Sequence, residues 1–164
     1  MDVVEQRLTE RELALPPQAA LPSGVTIPFH WIRVWGDRVH VSGHGALTGS
    51  GQPAGPFGRV PDAVSIEAAQ QSAVQAVLSI LSSLRRTLGG LDRLAWLSLT
   101  CFVSAEPGFA QATLIPNPAS ELIVELFGPE RGAHARAAPG VTALPFDLPV
   151  VIAAELVITD ADTG

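Results

Sequence analysis

The sequence predicts an α+β fold in which one β-sheet carries two helices on one face. Three observations lead to this prediction: a hairpin pattern at residues 31–42, a long amphipathic helix pattern at 65–88 and a continuous apolar run at 94–103. A shorter helix and two strands follow. The order is therefore hairpin, helix, strand, helix, strand, strand, and its two helices must cover one face of a single sheet.

The hairpin prediction rests on two β-rich runs, 31–35 and 38–42, which flank the tight-turn pair Gly36–Asp37. Residues 43–61 carry six glycines and three prolines, so we expect mostly loop there. Before the hairpin, residues 3–15 have helical spacing that Pro16–Pro17 ends, and a linker rich in Pro and Ala reaches about Gly24. We expect residues 1–24 to be an appendage packed against the core formed by 25–164.

The helix over 65–88 has both of its end signals. Ser65 is a favourable N-cap and Gly89–Gly90 a favourable C-terminal stop. One face is apolar, and the other is predicted to face solvent because it carries polar residues: Gln70, Gln71, Ser79 and Ser83.

The apolar run 94–103 is too continuous for a half-exposed strand, so it predicts a central strand covered on both faces. The second helix is predicted to begin at Asn117–Pro118, with Asn117 as its cap, and to end at Gly128. Strands are expected near 134–141 and 149–158. The face of the sheet that the helices leave open would be apolar and would need a partner subunit.

Composition restricts the function classes. Of 164 residues, 47% are apolar and 16% are charged, which excludes disorder for most of the chain and favours an apolar surface that contacts another subunit. A net charge of −6 with scattered basic residues argues against nucleic acid as a partner. The single cysteine, Cys101, is interpreted as a small buried hydrophobe. With no apolar stretch long enough for a membrane and no signal-peptide pattern, a cytoplasmic location is expected.

Arg136 is the first candidate for a binding site. It lies among small residues, with no acidic neighbour in the predicted strand, and a planar guanidinium in such a place suits bidentate capture of a carboxylate. An ordinary surface or interface arginine is an equally good interpretation.

Ser42, Gly43 and His44 form the second candidate, because glycines on both sides of His44 allow a ligand close to the backbone. A strand that ends in a flexible turn is the simpler interpretation. His40 and His44 are four residues apart on a strand with no ligand cluster nearby, so no metal site is predicted, and no cofactor motif is present either. Asn117 is explained by helix capping and could also line a site.

Several short segments resemble the RidA/YjgF family, also called endoribonuclease L-PSP or chorismate-mutase-like. They are VHVSGHG at 39–45, NPASEL at 117–122, HARAA at 134–138 and the Leu144–Pro145 pair. Their order and spacing cover about 29–158, and the N-terminal extension is similar to a longer bacterial branch.

The resemblance implies a single mixed sheet with two helices on one face, and a homotrimer whose sheets form an inner barrel with clefts between subunits. It also implies hydrolysis of reactive 2-imino or enamine acids to 2-keto acids and ammonia. In that scheme Arg136 holds the substrate carboxylate. Groups around Ser42, Gly43 and Asn117 line the cleft, and Phe29 stands where the family commonly has tyrosine.

The sequence departs from the family at the catalytic acid. The glutamate that would direct water falls at Val151 and the next acidic position at Ala153, while Glu155 lies about 13 Å along the strand from 151. A cysteine often found two residues after the arginine is Ala138 here. Three hypotheses remain open: His44, in place of a family glutamine, is the acid–base group; the reaction is a different one, such as dehydration, cyclisation or tautomerisation; or the protein binds ligand without turnover.

Overall fold

The fold contains one mixed sheet and three helices, in a computed structural model that describes residues 2–160. The sheet order is β1-β2-β6-β3-β4, and β5 also pairs with β3. The helices are α1 (Val3–Glu10), α2 (Ile66–Leu88) and α3 (Asn117–Arg131). The strands are β1 (Ile32–Trp35), β2 (Arg38–His44), β3 (Leu94–Ser104), β4 (Ala135–Ala137), β5 (Gly140–Val141) and β6 (Val150–Ile158). The predicted α+β class is confirmed.

The sheet is mixed because its two longest ladders are antiparallel and its last edge is parallel. β6 lies between β2 and β3 and is antiparallel to both, whereas β4 and β5 run parallel to β3. The predicted hairpin is confirmed, with Trp35 paired to Arg38. The predicted single strand over 134–141 is split into β4 and β5, with Pro139, which has no N–H to donate, between them.

One face of the sheet packs on the helices and the other is open. Along β3 and β6, buried residues such as Cys101 and Ile152 alternate with half-buried ones such as Phe102 and Val151. The prediction that residues 94–103 are covered on both faces is wrong for the single chain, since Leu97 is 38% exposed and no described helix covers that side. The core lies between α2, α3 and the covered face.

The boundaries of α2 are as predicted. Ser65 Oγ accepts a hydrogen bond from the Ala68 N–H (3.1 Å), and Gly89 ends the helix at φ 82°. The prediction that its polar face meets solvent is correct for Gln71, which is exposed, but wrong for Ser79 and Ser83, which are buried. Neighbouring segments cover that face, where the Ser82 hydroxyl donates to the carbonyl of Pro16.

The N-terminal helix α1 is shorter than the predicted span 3–15, because the chain turns out of the helix at Glu12 with φ 54°. Its start is held by two carboxylates. Asp2 accepts the N–H groups of Leu91 and Asp92, and Asp92 in return accepts the Val3 N–H (2.8 Å). Burial opposes the ionisation of Asp2, but these N–H donors prevail and lower its pKa. No helix of residues 2–160 is long and apolar enough to cross a bilayer.

Asn117 is the first residue of α3 and not its cap, which corrects the prediction. Pro116 occupies the cap position with helical dihedral angles and no side-chain capping bond. A short 3₁₀ turn at Ala112–Leu114 leads directly into the helix, so the chain enters α3 already helically wound. The helix is kinked at Gly128 (φ 87°) and continues through Pro129 to Arg131, beyond its predicted end.

Candidate functional site

The candidate site residues form two groups on a single chain. Phe29, Ser42, Gly43 and His44 lie at the end of β2, whereas Arg136 lies on β4, close to the start of α3. β6 and β3 separate β2 from β4. Three interstrand steps of about 4.8 Å place the two groups about 14 Å apart. The fold of one chain therefore does not bring Arg136 to His44.

The end of β2 is fixed by contacts with the segment before β1. The Ser42 hydroxyl donates to the carbonyl of His30 (2.7 Å). The Phe29 ring meets the Trp31 ring edge-on at 5.3 Å, and the Trp31 ring lies 5.3 Å from the His44 ring. These contacts give His44 an aromatic wall.

Gly43 allows β6 to approach this wall closely. A methyl group added at Gly43 would lie 2.8 Å from Val151 Cγ1, well inside van der Waals contact. Val151 therefore lies beside Gly43, but its side chain offers no polar atom there. Glu155, farther along β6, pairs with His40 on the open face at 3.5 Å.

His44 is buried (6% exposed) and both of its ring nitrogens are bonded. Nδ1 lies 2.6 Å from the carbonyl oxygen of Ser42 and therefore carries the proton, so Nε2 accepts from the Ser83 hydroxyl at 2.9 Å. Burial lowers the pKa of His44, the hydrogen bond to Ser42 works against this, and the charge of Arg86 lowers it further. The ring is neutral at pH 7, and Nε2 can take a proton only when Ser83 turns away. The catalytic role of His44 stays a prediction.

Arg136 is held by neutral groups at the start of α3. One terminal nitrogen donates to the carbonyl (2.9 Å) and hydroxyl (3.2 Å) oxygens of Thr113, and the other donates to Ser120 Oγ (3.2 Å). Within residues 2–160 no Asp or Glu forms an ion pair with it. A guanidinium that is oriented but not neutralised can bind an anion.

Two further residues support Arg136, and sequence reasoning missed both. The Ser120 hydroxyl donates to His134 Nε2 (2.9 Å), and His134 Nδ1–H donates to the carbonyl of Gly132 (2.7 Å). The i, i+2 spacing of His134 and Arg136 on one strand face was the available signal for His134. Asn117 is half-buried one helical turn before Ser120, so its predicted binding role places it with the Arg136 group.

A cavity of about 550 Å³ lies beside His44. It is lined by the N-terminal segment, the end of β2, the loop that follows β2 and the residues before β6. Among the described residues, 2–160, no lining side chain carries a formal charge. The lining residues are Ala19, Ala20, Leu21, Pro22, Val25, Ile27, Phe29, Trp31, Gly43, His44, Gly45, Ala46, Leu47, Gly51, Gln52, Pro53, Ser83, Pro145, Phe146, Leu148 and Val151.

Cys101 lies in β3 and is fully buried on the face of the sheet that the helices cover. Burial raises the pKa of its thiol to about 12, against the opposing effect of the Arg136 charge. The thiol is therefore protonated at neutral pH and is not a nucleophile there. Among the described residues, 2–160, no three His, Cys, Asp or Glu side chains are grouped to hold a metal ion.

The comparisons with known proteins agree with this fold. No profile of a known protein family matches the sequence. Protein TCP17 of Trypanosoma cruzi is 34% identical over 125 residues, 71% of this chain and 72% of that protein. The structure of Atu1372 from Agrobacterium tumefaciens, a protein of unknown function, is 32% identical over 96% of this chain and 93% of that one, with a TM-score of 0.80.

More distant structures identify the fold. A candidate endoribonuclease from Shewanella oneidensis matches with a TM-score of 0.83 at 20% identity, over 96% of this chain and all of that one. YyfA of Yersinia pestis, of the Rid protein family, has a TM-score of 0.56 at 14% identity, over 82% and 90% of the two chains. These matches show that the chain has the single-sheet α+β fold of the endoribonuclease L-PSP and Rid proteins. This fold agrees with the resemblance to the RidA/YjgF family seen in the sequence.

Proposed function

We propose that this protein is a cytoplasmic homotrimer that binds small carboxylate-bearing molecules and hydrolyses 2-imino acids to 2-keto acids and ammonia. Arg136 carries the proposal. Its guanidinium is half-buried, held by three neutral oxygens, and unpaired with any acid of residues 2–160. A carboxylate would complete its bonding with charge-assisted hydrogen bonds.

The separation of the two residue groups supports a cleft between subunits. Arg136 and His44 are three strands apart on one chain, and the open face between them carries the half-buried Phe102 and Val151. A second copy packed on that face would bury these side chains and bring its Arg136 toward the β2 end of the first copy. Each complete site would then draw residues from two subunits.

The reaction needs a water molecule and a place for its protons. Water adds to C2 of the imino acid, the C–N bond of the resulting carbinolamine breaks, nitrogen leaves as ammonia, and the C2 carbonyl of the keto acid forms. Arg136 would fix the carboxylate and so the position of C2. Among residues 2–160, His44 is the only titratable group that lines the cavity. It would take the proton of water once Ser83 turns its hydroxyl away, and return it to the leaving nitrogen.

A second function is favoured by Val151 and by the bonded state of His44. With no carboxylate among the cavity residues and both imidazole nitrogens occupied, the site could hold a carboxylate ligand without hydrolysing imines. It could also catalyse a different reaction, such as dehydration, cyclisation or tautomerisation, for which the imidazole alone would suffice.

Keto-acid release from imines generated by an amino-acid oxidase tests the proposal. We expect the wild type to accelerate it and Arg136→Gln to lower kcat/KM about a hundredfold, since a charge-assisted bidentate contact contributes about 3 kcal/mol. Arg93→Gln is the matched control: it removes the same charge from an exposed arginine whose Nε bonds a backbone carbonyl.

Three outcomes are informative. If Arg136→Gln is inactive and Arg93→Gln is not, the hydrolase proposal stands, and His44→Gln then shows whether the imidazole is needed. If folded wild type gives no acceleration but binds a keto acid through Arg136, the second function is correct. If Arg136→Gln changes neither hydrolysis nor binding, both functions are wrong.

A further inference from the structure

We infer that the cavity beside His44 receives the side chain of the substrate, and that this side chain is bulky, apolar and uncharged. The inference rests on the proposed function for the carboxylate end of the substrate. It adds a substrate class, which the carboxylate contact alone does not determine.

The lining of the cavity determines which groups can enter. Its volume of about 550 Å³ falls in the range of small-molecule sites, about 300–1,000 Å³. His44 and Ser83, its two buried polar residues, already bond to each other. A charged side chain would therefore lose its water and find no opposite charge among the lining residues, because the guanidinium of Arg86, which donates to Ser83 Oγ (3.0 Å), is not one of them. An aromatic or branched aliphatic side chain has no hydrogen bonds with water to lose when it enters the cavity.

The N-terminal segment forms one wall and is firmly attached. The Ala20 N–H donates to the carbonyl of Gly51 (2.9 Å), and the carbonyl of Pro16 accepts from the Ser82 hydroxyl. Gly51 permits this contact, because a methyl group there would lie 2.5 Å from the carbonyl oxygen of Gln18. The wall is thus formed before ligand arrives, so binding costs little ordering entropy.

Large apolar side chains gather at the opening of the cavity. Leu21, Val25, Phe29 and Phe146 are 41%, 49%, 48% and 71% exposed, and all four line the cavity. Exposed apolar groups that cluster at one place often mark a binding site, whereas scattered ones do not. Apolar surface that a ligand covers there adds to its affinity roughly in proportion to the area covered. The Trp31 and Phe29 rings add an aromatic wall for a ring or a branched chain.

Substrate selectivity is the first test. A broad-specificity D-amino-acid oxidase supplies imines of alanine, leucine and phenylalanine in parallel reactions, and the protein acts on each. We expect kcat/KM for the leucine and phenylalanine imines to exceed that for the alanine imine by at least about tenfold, as expected for several additional buried carbons. Ala19→Trp, which fills the half-buried cavity wall, should reduce this ratio toward one. Ala14→Trp places the same ring on an exposed residue that does not line the cavity and should leave the ratio unchanged.

A neutral fluorescent probe tests the cavity without the reaction. N-phenyl-1-naphthylamine should bind the wild type and Ala14→Trp saturably, with affinity at least about tenfold lower in Ala19→Trp. Hydrolysis without preference for bulky imines overturns the inference and leaves the proposed function intact. If the protein shows no hydrolysis while Ala19→Trp still weakens probe binding, the hydrolase proposal fails and the cavity is an apolar binding site. Equal probe binding by Ala19→Trp and Ala14→Trp overturns the inference in either case.

Discussion

The imidazole of His44 is neutral in the fold but titrates freely in the unfolded chain, and this difference couples stability to pH. Burial depresses the folded pKa below the unfolded value of 6.5, so between the two values the unfolded chain binds a proton that the fold does not. Above about pH 6.5 the imidazole is neutral in both states, and the free energy of unfolding is not reduced by it. As the pH falls below that value, protonation of the unfolded chain lowers the free energy of unfolding. The slope for one proton is at most about 1.4 kcal/mol per pH unit.

Urea unfolding of wild type and His44→Gln from pH 7.5 to 5 measures this effect. We expect the wild type to lose stability with acid and His44→Gln to lose less, because glutamine does not titrate. The exposed His30→Gln variant is the control and should follow the wild type. Parallel curves for wild type and His44→Gln would contradict the neutral, buried state of the imidazole.

Individual site residues were predictable only where the local sequence determines them. Gly43 and His44 follow from a glycine-rich strand end, and the lone position of Arg136 is visible in the sequence. Ser120 and Ser83 were not predictable, because each takes its role from a partner far along the chain: Arg136 is 16 residues from Ser120, and His44 is 39 from Ser83. A serine on a helix looks like a solvated residue until the tertiary fold covers it.

Among the secondary-structure elements, α2 was predicted with both boundaries because local groups determine both ends. Ser65 bonds within the first turn, and Gly89 adopts the left-handed conformation that ends the helix. The predicted end of α3 was wrong because a glycine in the sequence can either end a helix or bend it. Gly128 bends the chain, and the helix resumes at Pro129, a residue that suits the first turn of a helix.

The kink at Gly128 predicts the cost of substituting that residue. A methyl group there would meet nothing within 4 Å, so the effect of Gly128→Ala comes from the backbone alone, at φ 87°. We expect a loss of about 1–2 kcal/mol in the free energy of unfolding, measured by urea titration. Gly49→Ala has equally open space without a positive φ and should change stability by less than about 0.5 kcal/mol. Equal effects would argue against a strained kink.

For the whole molecule, the fold class was predictable because hydrophobic periodicity reports which faces are covered. The low charge content, and the fact that two helices can cover only one face of a single sheet, together indicated an apolar face left over. The expectation that β3 is covered on both faces fails for one chain because the helices of that chain cover only one face of the sheet. Leu97 and Phe102 are apolar on a face that no described helix of this chain covers.

This open face predicts the oligomeric state. Sedimentation equilibrium of the wild type should give about three times the chain mass of 17.1 kDa. Ala153, half-buried on the open face of β6 opposite Thr100, is the position to disrupt, because Ala153→Glu would bury an unpaired charge between subunits. Ala153→Glu should sediment as a monomer and lose imine hydrolysis, since each cleft needs two copies. Ser50→Glu, on an exposed turn, should keep both properties. A wild type that sediments at one chain mass would contradict the trimer and the shared cleft together, whereas a monomeric Ala153→Glu that still hydrolyses imines would contradict only the shared cleft.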